Sequence, residues 1–388
     1  MSWPQLALDE VLEFREGPGI LAKDFRDTGT PLIRLAGLRG DSVVEGCNFL
    51  DPYAVDARWS QFRLRLGDTL LSTSASLGEV ATVDHAGVGA IPYTGVISFR
   101  PKDDRVHAAF VPLMLREKGF KDQIEAMGVG SVMKHFGPTH LRRMSVTVPP
   151  LVEQRAIADV LGALDDKIAA NTTLASTATQ LASIDFAMVA TQTTEISTFA
   201  DVAEISGGGT PSTKNEEFWD GDIWWATPTD VTALAGPYLE STSRTITAAG
   251  LAACNSRLFK PGAILMTSRA TIGALAVNSV PTALNQGFIV VEPHDWRLRW
   301  WLFHEMESRV DEFISWANGA TFLELSRGNF KRLRVRVPSV EVRDGFASRA
   351  GALHDAARIA LEENRTLAAT RDALLPQLMS GKLRVRDA

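Results

Sequence analysis

The sequence predicts an α/β (α+β) protein with two tandem homologous domains, joined by two long helices that form an antiparallel coiled coil in a pseudo-twofold arrangement. Two observations lead to this prediction. First, the chain repeats three of its segments in the same order, at offsets of 191, 195 and 189 residues. Second, a strand-like pattern at the end of each copy changes to a heptad pattern, which is typical of helices that pack on each other.

The repeat indicates two diverged copies of one domain. The matching segments are 11–17 with 202–208, 67–81 with 262–276, and 130–149 with 319–338. Because their order is preserved while the offset drifts, the copies differ by insertions of a few residues in loops. A chain built in this way is expected to recognise two related features at once.

Short apolar runs bounded by Gly, Pro, Asn and Asp predict the strands. In the first copy they lie at 31–38, 62–66, 69–72 and 96–99. In the second copy they lie at 223–226, 263–267, 274–277 and 287–291. Each copy also has a helical stretch, near 110–117 and near 298–314, before its last strand.

Each copy is followed by a segment with a helical heptad seam. The seam residues include Ile157, Leu161, Leu164, Ile168 and Asn171 in the first helix and Phe346, Leu353, Asn364 and Leu367 in the second. An asparagine in such a seam fixes register at some cost in stability, and Ser339 is a candidate N-cap of the second helix. We expect an antiparallel pair, the alternative being two independent helices that each pack on their own domain. The resulting boundaries are 1–150, 151–190, 191–339 and 340–388.

Composition narrows the class of protein. Hydrophobic residues make up 45% of the 388 residues and charged residues 22%, which is ordinary for a globular chain. Two distant cysteines, Cys47 and Cys254, give no disulfide framework and no zinc clip. The acidic start lacks the apolar core of a signal peptide, and the apolar runs are too short to span a bilayer. We therefore expect a cytoplasmic protein without a membrane partner.

Basic residues recur at matched places despite the net charge of −6. The two clusters are Lys134, His135, His140, Arg142 and Arg143 in the first copy, and Arg327, Lys331, Arg332, Arg334 and Arg336 in the second. Cationic side chains provide most of the non-specific affinity for nucleic acid. The alternative for any one of these residues is a solvated strand edge.

Several enzyme classes are disfavoured by their motifs. The run Asp51, Pro52, Tyr53 has only one of the two prolines of an amino-methyltransferase motif. The glycine-rich loop at 207–210 lacks the Gly-Lys-Ser/Thr ending of a phosphate-binding loop, since Lys214 precedes an asparagine. The histidine pair His135 and His140 has no further metal ligand beside it. Nothing in the sequence suggests a catalytic or a metal site.

Five segments of the chain are recognisable together: VPPLVEQRAIADVLGALDDKI (148–168), GGGTPSTKNEEFWDGDIWWATPTDV (207–231), LMTSRATIGALAVNS (265–279), NQGF (285–288) and RDALLPQLMSGKLRV (371–385). With them, essentially the whole chain resembles the specificity subunit of type I restriction-modification systems. The resemblance implies two target-recognition domains that each bind one half of a bipartite double-stranded DNA site. The two helices would then set the gap between the halves.

The resemblance also implies partners and cofactors. The helices would dock two modification (methyltransferase) subunits and, through them, restriction (endonuclease/translocase) subunits. The chain itself would be non-catalytic and would hold no cofactor, because S-adenosylmethionine, ATP and Mg belong to the partner subunits. A second possibility is a degenerate structural scaffold that docks modification subunits without reading DNA.

The candidate DNA contacts follow the repeat blocks and the basic clusters. They are Ser74, Ser76, Lys134, His135, Gly208, Thr210, Thr213, Lys214, Thr227, Thr229, Ser268, Arg269, Thr271, Arg327, Asn329 and Lys331. Arginine makes the commonest bidentate contact to guanine, so Arg269 is the leading candidate for reading a base. Its alternative is a buried scaffold arginine paired with a carboxylate. For Trp224 and Trp225 we expect core packing, and for the glycine-rich loop a tight turn is the alternative.

Overall fold

The structure is a computed structural model and describes residues 3–40, 42–74, 77–126, 136–269, 271–319 and 323–385. Contacts divide the chain into two units. Unit 1 comprises residues 1–169 and 366–388, and unit 2 comprises residues 170–365. Both divisions fall inside long helices, so each unit includes a part of both. The four segments drawn from the sequence therefore stay a prediction about domains.

Unit 1 contains ten strands and the start of a long helix among its described residues. The strands are β1 Gln5–Ala7, β2 Leu12–Glu16, β3 Phe25–Arg26, β4 Thr30–Ile33, β5 Asn48–Leu50, β6 Thr69–Ser72, β7 Val80–Thr82, β8 Ile91–Pro92, β9 Val96–Pro101 and β10 Ser145–Thr147. The helices are α1 Leu8–Val11, α2 Pro52–Arg58, α3 Val111–Arg116, α4 Lys118–Ala126, α5 Pro138–Leu141 and α6 Leu151–Ala190. The last of these continues into unit 2.

Unit 2 also contains ten strands among its described residues. Its strands are β11 Ile196–Thr198, β12 Ala203–Ser206, β13 Trp219–Ala226, β14 Tyr238–Leu239, β15 Thr245–Ile246, β16 Ile264–Thr267, β17 Leu275–Asn278, β18 Thr282–Leu284, β19 Phe288–Pro293 and β20 Arg334–Arg336. Its helices are α7 Phe199–Val202, α8 Pro228–Thr232, α9 Ala248–Ala252, α10 Arg299–Glu307, α11 Val310–Ser315, α12 Arg327–Arg332 and α13 Val340–Met379. Of these, α8 is an additional short helix between β13 and β14.

Sheet topology confirms the internal repeat. The main sheet of unit 1 has the order β2-β9-β6-β7, and that of unit 2 has the order β12-β19-β16-β17-β14. In each unit a second sheet contains one parallel pair, β4 with β8 and β13 with β18. In each unit the first strand also pairs antiparallel with the last one, β1 with β10 and β11 with β20. The two copies therefore share one mixed α/β fold.

Each unit has its own core, and the long helices contribute to both. In unit 1 the largest fully buried side chains include Phe99, Phe110 and Phe120, and Ile157 of α6 belongs to the same cluster. In unit 2 the core contains Trp301 and Phe330, together with Ala175, Ala178 and Ala182 of α6 and Phe346, Ala350 and Ala357 of α13. The small residues of the helical seam let backbones approach closely.

The long helices pack together and run antiparallel, as predicted. Within unit 1, Arg371 donates to Asp165 (2.7 Å). Within unit 2, Asn171 donates to Glu363 (2.7 Å) and Asn364 donates to Thr172 (3.1 Å). Farther along, Arg349 forms two bonds of 3.0 Å with Asp185. Residue numbers rise on one helix as they fall on the other, which defines the antiparallel register.

The predicted seam residues differ in burial. Ile157, Leu161, Asn171 and Phe346 are buried, whereas Leu164, Ile168, Leu353, Asn364 and Leu367 are half-buried. Ser339 caps α13, because its hydroxyl accepts from the Val342 N–H at 3.4 Å. Among the described helices, none has both the length and the apolar composition needed to cross a bilayer.

Two of the predicted strands in the first copy differ from the structure. The run 62–66 forms no strand, since residues 60–62 make a 3₁₀ turn and the chain then continues without regular structure to residue 66. The run 31–38 ends as a strand at Ile33 and continues as a 3₁₀ helix from Leu35 to Leu38. Leu38 and Leu64 are buried in one apolar cluster although neither residue lies in a strand, so the apolar pattern of these runs reflects burial rather than strand formation.

Candidate nucleic-acid interface

Backbone hydrogen bonds bring several loops of unit 2 together at one end of its sheets. Ser268, directly after β16, donates its N–H to the Gly287 carbonyl (2.8 Å) and accepts from the Leu325 N–H (3.0 Å). The Gly209 N–H donates to the Leu284 carbonyl at the end of β18 (2.9 Å). We call residues 207–214, 227–229, 268–269, 285–287 and 324–327 the unit 2 loop cluster.

The glycine-rich loop lies against the strand end that it contacts. A Cβ atom added to Gly208 would overlap the carbonyl oxygens of Leu284 and Asn285. The close approach of the loop to this strand end therefore requires glycine at position 208, and residues 207–212 form no turn. Beside it, the exposed Thr210 hydroxyl is hydrogen-bonded to the side chain of Gln286. Thr213 and Lys214 are exposed on the same loop.

Two indoles are hydrogen-bonded to the backbone of this loop. Trp225 is 4% exposed and donates its Nε1–H to the Gly209 carbonyl (3.1 Å). Trp219 is 7% exposed and donates its Nε1–H to the Ser212 carbonyl (3.1 Å). The predicted core role of Trp225 is confirmed, and Trp224 is half-buried. Both indoles restrict the path of the loop.

Thr227 and Thr229 lie at the start of α8. Thr227 is its N-cap, and both its N–H and its hydroxyl are bonded to the Asp230 carboxylate at 2.7 Å. Burial raises the pKa of Asp230, but hydrogen bonds from Thr227 and Ser243 outweigh it and leave the pKa below its usual range. Thr229 is exposed, so this capped turn presents a hydroxyl to solvent.

The turn after β16 contains the leading base-reading candidate. Arg269 is 44% exposed and forms an ion pair with Glu324, which is 42% exposed, at 2.9 Å. The carboxylate partner of the scaffold alternative is thus present, but the pair is not buried. Ser268 is 3% exposed, so its side chain is buried within the turn, whereas Thr271 is exposed.

The second basic cluster has two kinds of members. Arg327 and Lys331 are exposed on α12, whose N-cap Ser326 accepts from the Asn329 N–H at 3.1 Å. The Arg327 side chain lies beside the glycine-rich loop, within contact distance of a Cβ atom at Gly207. Arg336 is different, because it bonds the buried Glu305 (2.8 Å). Arg336 therefore neutralises a buried carboxylate of the fold.

Unit 1 builds an equivalent cluster with different side chains. The Thr73 N–H donates to the Gly95 carbonyl (2.8 Å), and the Phe136 N–H donates to the Thr73 carbonyl (3.3 Å). A Cβ atom at Gly17 would overlap the carbonyl oxygens that end β8, just as one at Gly208 would after β18. Ser74 is half-buried. The candidates Ser76, Lys134 and His135 lie outside the described residues.

Sequence reasoning missed Arg244 in unit 2. Its guanidinium lies over the Trp219 ring, with 3.6 Å between the Cζ atom and the ring centroid. The residue is separated from the indoles in sequence and lies in no repeat block, so only the pairing of β13 with β15 brings it there. Within the described ranges, His, Cys, Asp and Glu side chains form no group of three that could hold a metal ion.

Comparison with known proteins identifies the family. The family of the type I restriction modification DNA specificity domain matches residues 2–180 and again residues 192–347. The chain belongs to this family. The two matches correspond to the two copies of the repeat, which confirms the resemblance recognised from the sequence.

Relatives of this specificity family differ in how much of the chain they match. The MjaIX specificity subunit of Methanocaldococcus jannaschii is 35% identical over 156 residues, which is 40% of this chain and 36% of that subunit. The HindI specificity subunit of Haemophilus influenzae is 24% identical over 49% of this chain and 41% of its own length. The chain thus spans about two fifths of these two relatives.

Two further matches extend over nearly the whole chain. A putative MjaX specificity subunit of Methanocaldococcus jannaschii is 20% identical over 99% of this chain and 94% of that subunit. The crystal structure of a type I S subunit from M. genitalium has a TM-score of 0.63 at 14% identity, covering 97% of this chain and 96% of that one. This last likeness shows the fold.

Proposed function

We propose that this protein is the non-catalytic DNA-recognition subunit of a type I restriction-modification complex. Each unit would bind one half of a bipartite duplex target through its loop cluster. The observation that carries the proposal is the pair of equivalent clusters, built on the same backbone contacts but with different side chains, such as Ser74 in unit 1 and Arg269 in unit 2. Two similar frames with different side chains are suited to two different half-sites.

The exposed groups of the unit 2 cluster fit a duplex. Thr210 and Thr229 are exposed, and threonine hydroxyls can bind phosphate oxygens and position a protein on DNA. Lys214, Arg327 and Lys331 add charge for the same contacts. Arg269 and Thr271 follow β16, where a guanidinium can approach base edges in the major groove.

The partners would be double-stranded DNA, two modification subunits docked on α6 and α13, and restriction subunits bound through them. S-adenosylmethionine, ATP and Mg would be held by those subunits. The second candidate, a scaffold that docks modification subunits without reading DNA, is disfavoured by the exposed cations beside the glycine-rich loop.

Binding selection tests the proposal. The chain, assembled with its modification subunits, is mixed with a pool of random duplexes at moderate salt, and the bound fraction is sequenced. We expect enrichment of two short conserved halves with a constant gap. An assembled complex that binds DNA without enriching any sequence would be the scaffold of the second candidate, and the recognition role would be wrong.

A further inference from the structure

Arg244 is held above a pair of perpendicular indoles beside the unit 2 loop cluster. Its Cζ atom lies 3.6 Å from the Trp219 ring centroid and 6.0 Å from that of Trp225. The two indoles meet edge to face, with centroids 5.0 Å apart and an interplanar angle of 86°. Stacking on an aromatic face holds the guanidinium plane in a restricted set of orientations.

A bulge in β13 makes this platform possible. Trp219 and Ile223 both pair with Ile246 of β15, so the intervening residues bulge out of the ladder. Asp220 within the bulge adopts a left-handed conformation with φ 59°. Bulges re-aim side chains, and this one brings the Trp219 ring against Trp225. The same rings fix the glycine-rich loop through Gly209 and Ser212.

The backbone of Arg244 is fixed as well. Its carbonyl accepts from the Trp225 N–H (3.2 Å) and from the Thr242 hydroxyl (2.6 Å). The neighbouring Ser243 N–H donates to Asp230 (2.7 Å). Arg244 is exposed, and within the described ranges no carboxylate lies within ion-pair distance of its guanidinium. A fixed guanidinium with free donors is thus presented to solvent.

The equivalent place in unit 1 has different chemistry. Register aligns Ala226, paired with the end of β18, with Ile33, paired with the end of β8. Trp225 then corresponds to Leu32. Arg244 lies opposite Trp225 as Asn48 lies opposite Leu32, so Arg244 corresponds to Asn48. There Asn48 accepts from Arg34 at 2.8 Å, without an indole platform. The two copies therefore differ at this position while their backbones agree.

We infer that Arg244 reads a base in the half-site bound by unit 2, contacting a guanine edge, and that Trp219 positions it. The inference rests on the proposed function. Phosphate contacts hold no sequence information, so two copies of one module can share them. A position at which the copies differ is where different half-sites are distinguished. Guanine O6 and N7 match the two parallel donors of a guanidinium.

Three variants test the inference in the assembled complex. Arg244→Gln removes the cation, Arg244→Lys keeps the charge but loses the planar fork, and Lys260→Gln removes a cation at the opposite end of β16. Binding to duplexes with every substitution at each position of the selected target is measured. We expect both Arg244 variants to lose about 10-fold to 100-fold of discrimination at one G·C position of one half, and Lys260→Gln to lose none.

Trp219 is tested by a graded pair. Trp219→Leu removes the aromatic face and should relax the same base position as Arg244→Gln, whereas Trp219→Phe keeps a face and should restore part of the discrimination. A change confined to stability would affect overall binding and leave the base preference intact. That result would contradict the positioning role.

The outcomes separate the inference from the proposed function. If the wild-type complex selects a bipartite target but both Arg244 variants weaken binding equally for all sequences, Arg244 is a phosphate contact and the inference is wrong. Unchanged binding and preference in both variants would also overturn it. If the wild-type complex selects no target, the proposed function fails and the inference fails with it.

Discussion

Glycines at matched positions hold the two copies to the same backbone path. Gly67 and Gly262 have φ values of 81° and 100°, and Gly78 and Gly273 have φ values of 82° and 93°. Residues other than glycine rarely adopt this left-handed backbone conformation. These glycines recur in the repeat because the turns around β6 and β16 need them. They belong to the scaffold, whereas the residues between them are free to differ.

At Gly208 space rather than φ requires glycine. We expect Gly208→Ala to lower the free energy of unfolding by about 1–3 kcal/mol, because the new methyl overlaps two carbonyl oxygens. Gly162→Ala on α6 is the matched control, since nothing lies within 4 Å of its added Cβ. It should raise stability by about 0.5–1 kcal/mol. Urea unfolding measures both, and equal effects of the two substitutions would contradict the close approach at Gly208.

Substitution of Arg327 and Lys331 on α12 tests the phosphate contacts proposed for unit 2. Replacing both with alanine should weaken DNA binding by the assembled complex for all sequences. The slope of log affinity against log salt should become shallower by about 2, at about 0.9 for each phosphate contact. Lys260→Ala is the control and should leave the slope unchanged. A loss restricted to one base position would show that these residues read sequence.

Buried histidines in unit 2 predict a pH dependence of stability. Tyr238 and His354 are hydrogen-bonded at 2.8 Å, and His354 is bonded to His304 at 3.0 Å. Burial, with the nearby charges of His304 and Arg299, lowers the pKa of His354 to about 3. The ordinary value is about 6.5, so the folded state keeps this ring neutral. Below about pH 6.5 the unfolded chain binds a proton at this histidine and the folded chain does not. The free energy of unfolding is therefore highest above about pH 6.5 and decreases as pH falls toward 3.

The expected slope is at most about 1.4 kcal/mol per pH unit between pH 6.5 and 4. Urea unfolding at several pH values, monitored by tryptophan fluorescence, measures this slope, since seven of the nine tryptophans lie in unit 2. His354→Gln should be less stable at pH 7 and should lose a part of the slope. A variant with the slope of the wild type would show that other groups govern the acid response.

At the scale of elements, the long helices were predictable because their pattern is long and regular. Heptad positions such as Leu161 and Phe346 predicted the buried face, and the asparagines at 171 and 364 predicted polar seam positions that now have cross-helix partners. His354 was missed, because a histidine beside Leu353 gives no periodic signal. Its burial follows from Tyr238 and Trp300, which only the tertiary structure brings to it.

Short strands were less predictable than the helices. One repeat block located β6 and β16, since its glycine turns and apolar runs occur twice. The apolar runs at 96–99 and 287–291 located β9 and β19. The bulge in β13 and the platform under Arg244 were not predictable, because they depend on which strand pairs with Trp219. The repeat block also suggested Ser268 as a DNA contact, although the folded turn buries its side chain, because burial at a turn depends on contacts with segments distant in sequence.

The helix pair is expected to set the gap between the half-sites. Four residues inserted near Asn171 in α6, together with four near Glu363 in α13, should keep the antiparallel register and add about 6 Å of helix. The preferred gap should lengthen by about one to two base pairs, at about 3.4 Å each. Binding selection with the assembled complex measures the gap. Altered half-sites with an unaltered gap would contradict this role of the helices.

At the scale of the whole molecule, the chain is one module used twice. Both copies begin with a strand that pairs with their last strand, and both end in a helix of 40 residues. The two ends of the chain also meet within unit 1, where the Trp3 indole donates to the Leu378 carbonyl at 3.2 Å. Duplication preserved the frame, and divergence changed the side chains that the frame presents.

Mapping of modified bases is the most direct test of recognition by two domains. The chain is expressed with its modification subunits in a host that lacks other DNA methyltransferases, and the methylated sites are sequenced. We predict one motif with two defined halves separated by a gap of fixed length and undefined sequence. Methylation at a single continuous motif, or at no defined motif by an assembled complex, would contradict the account.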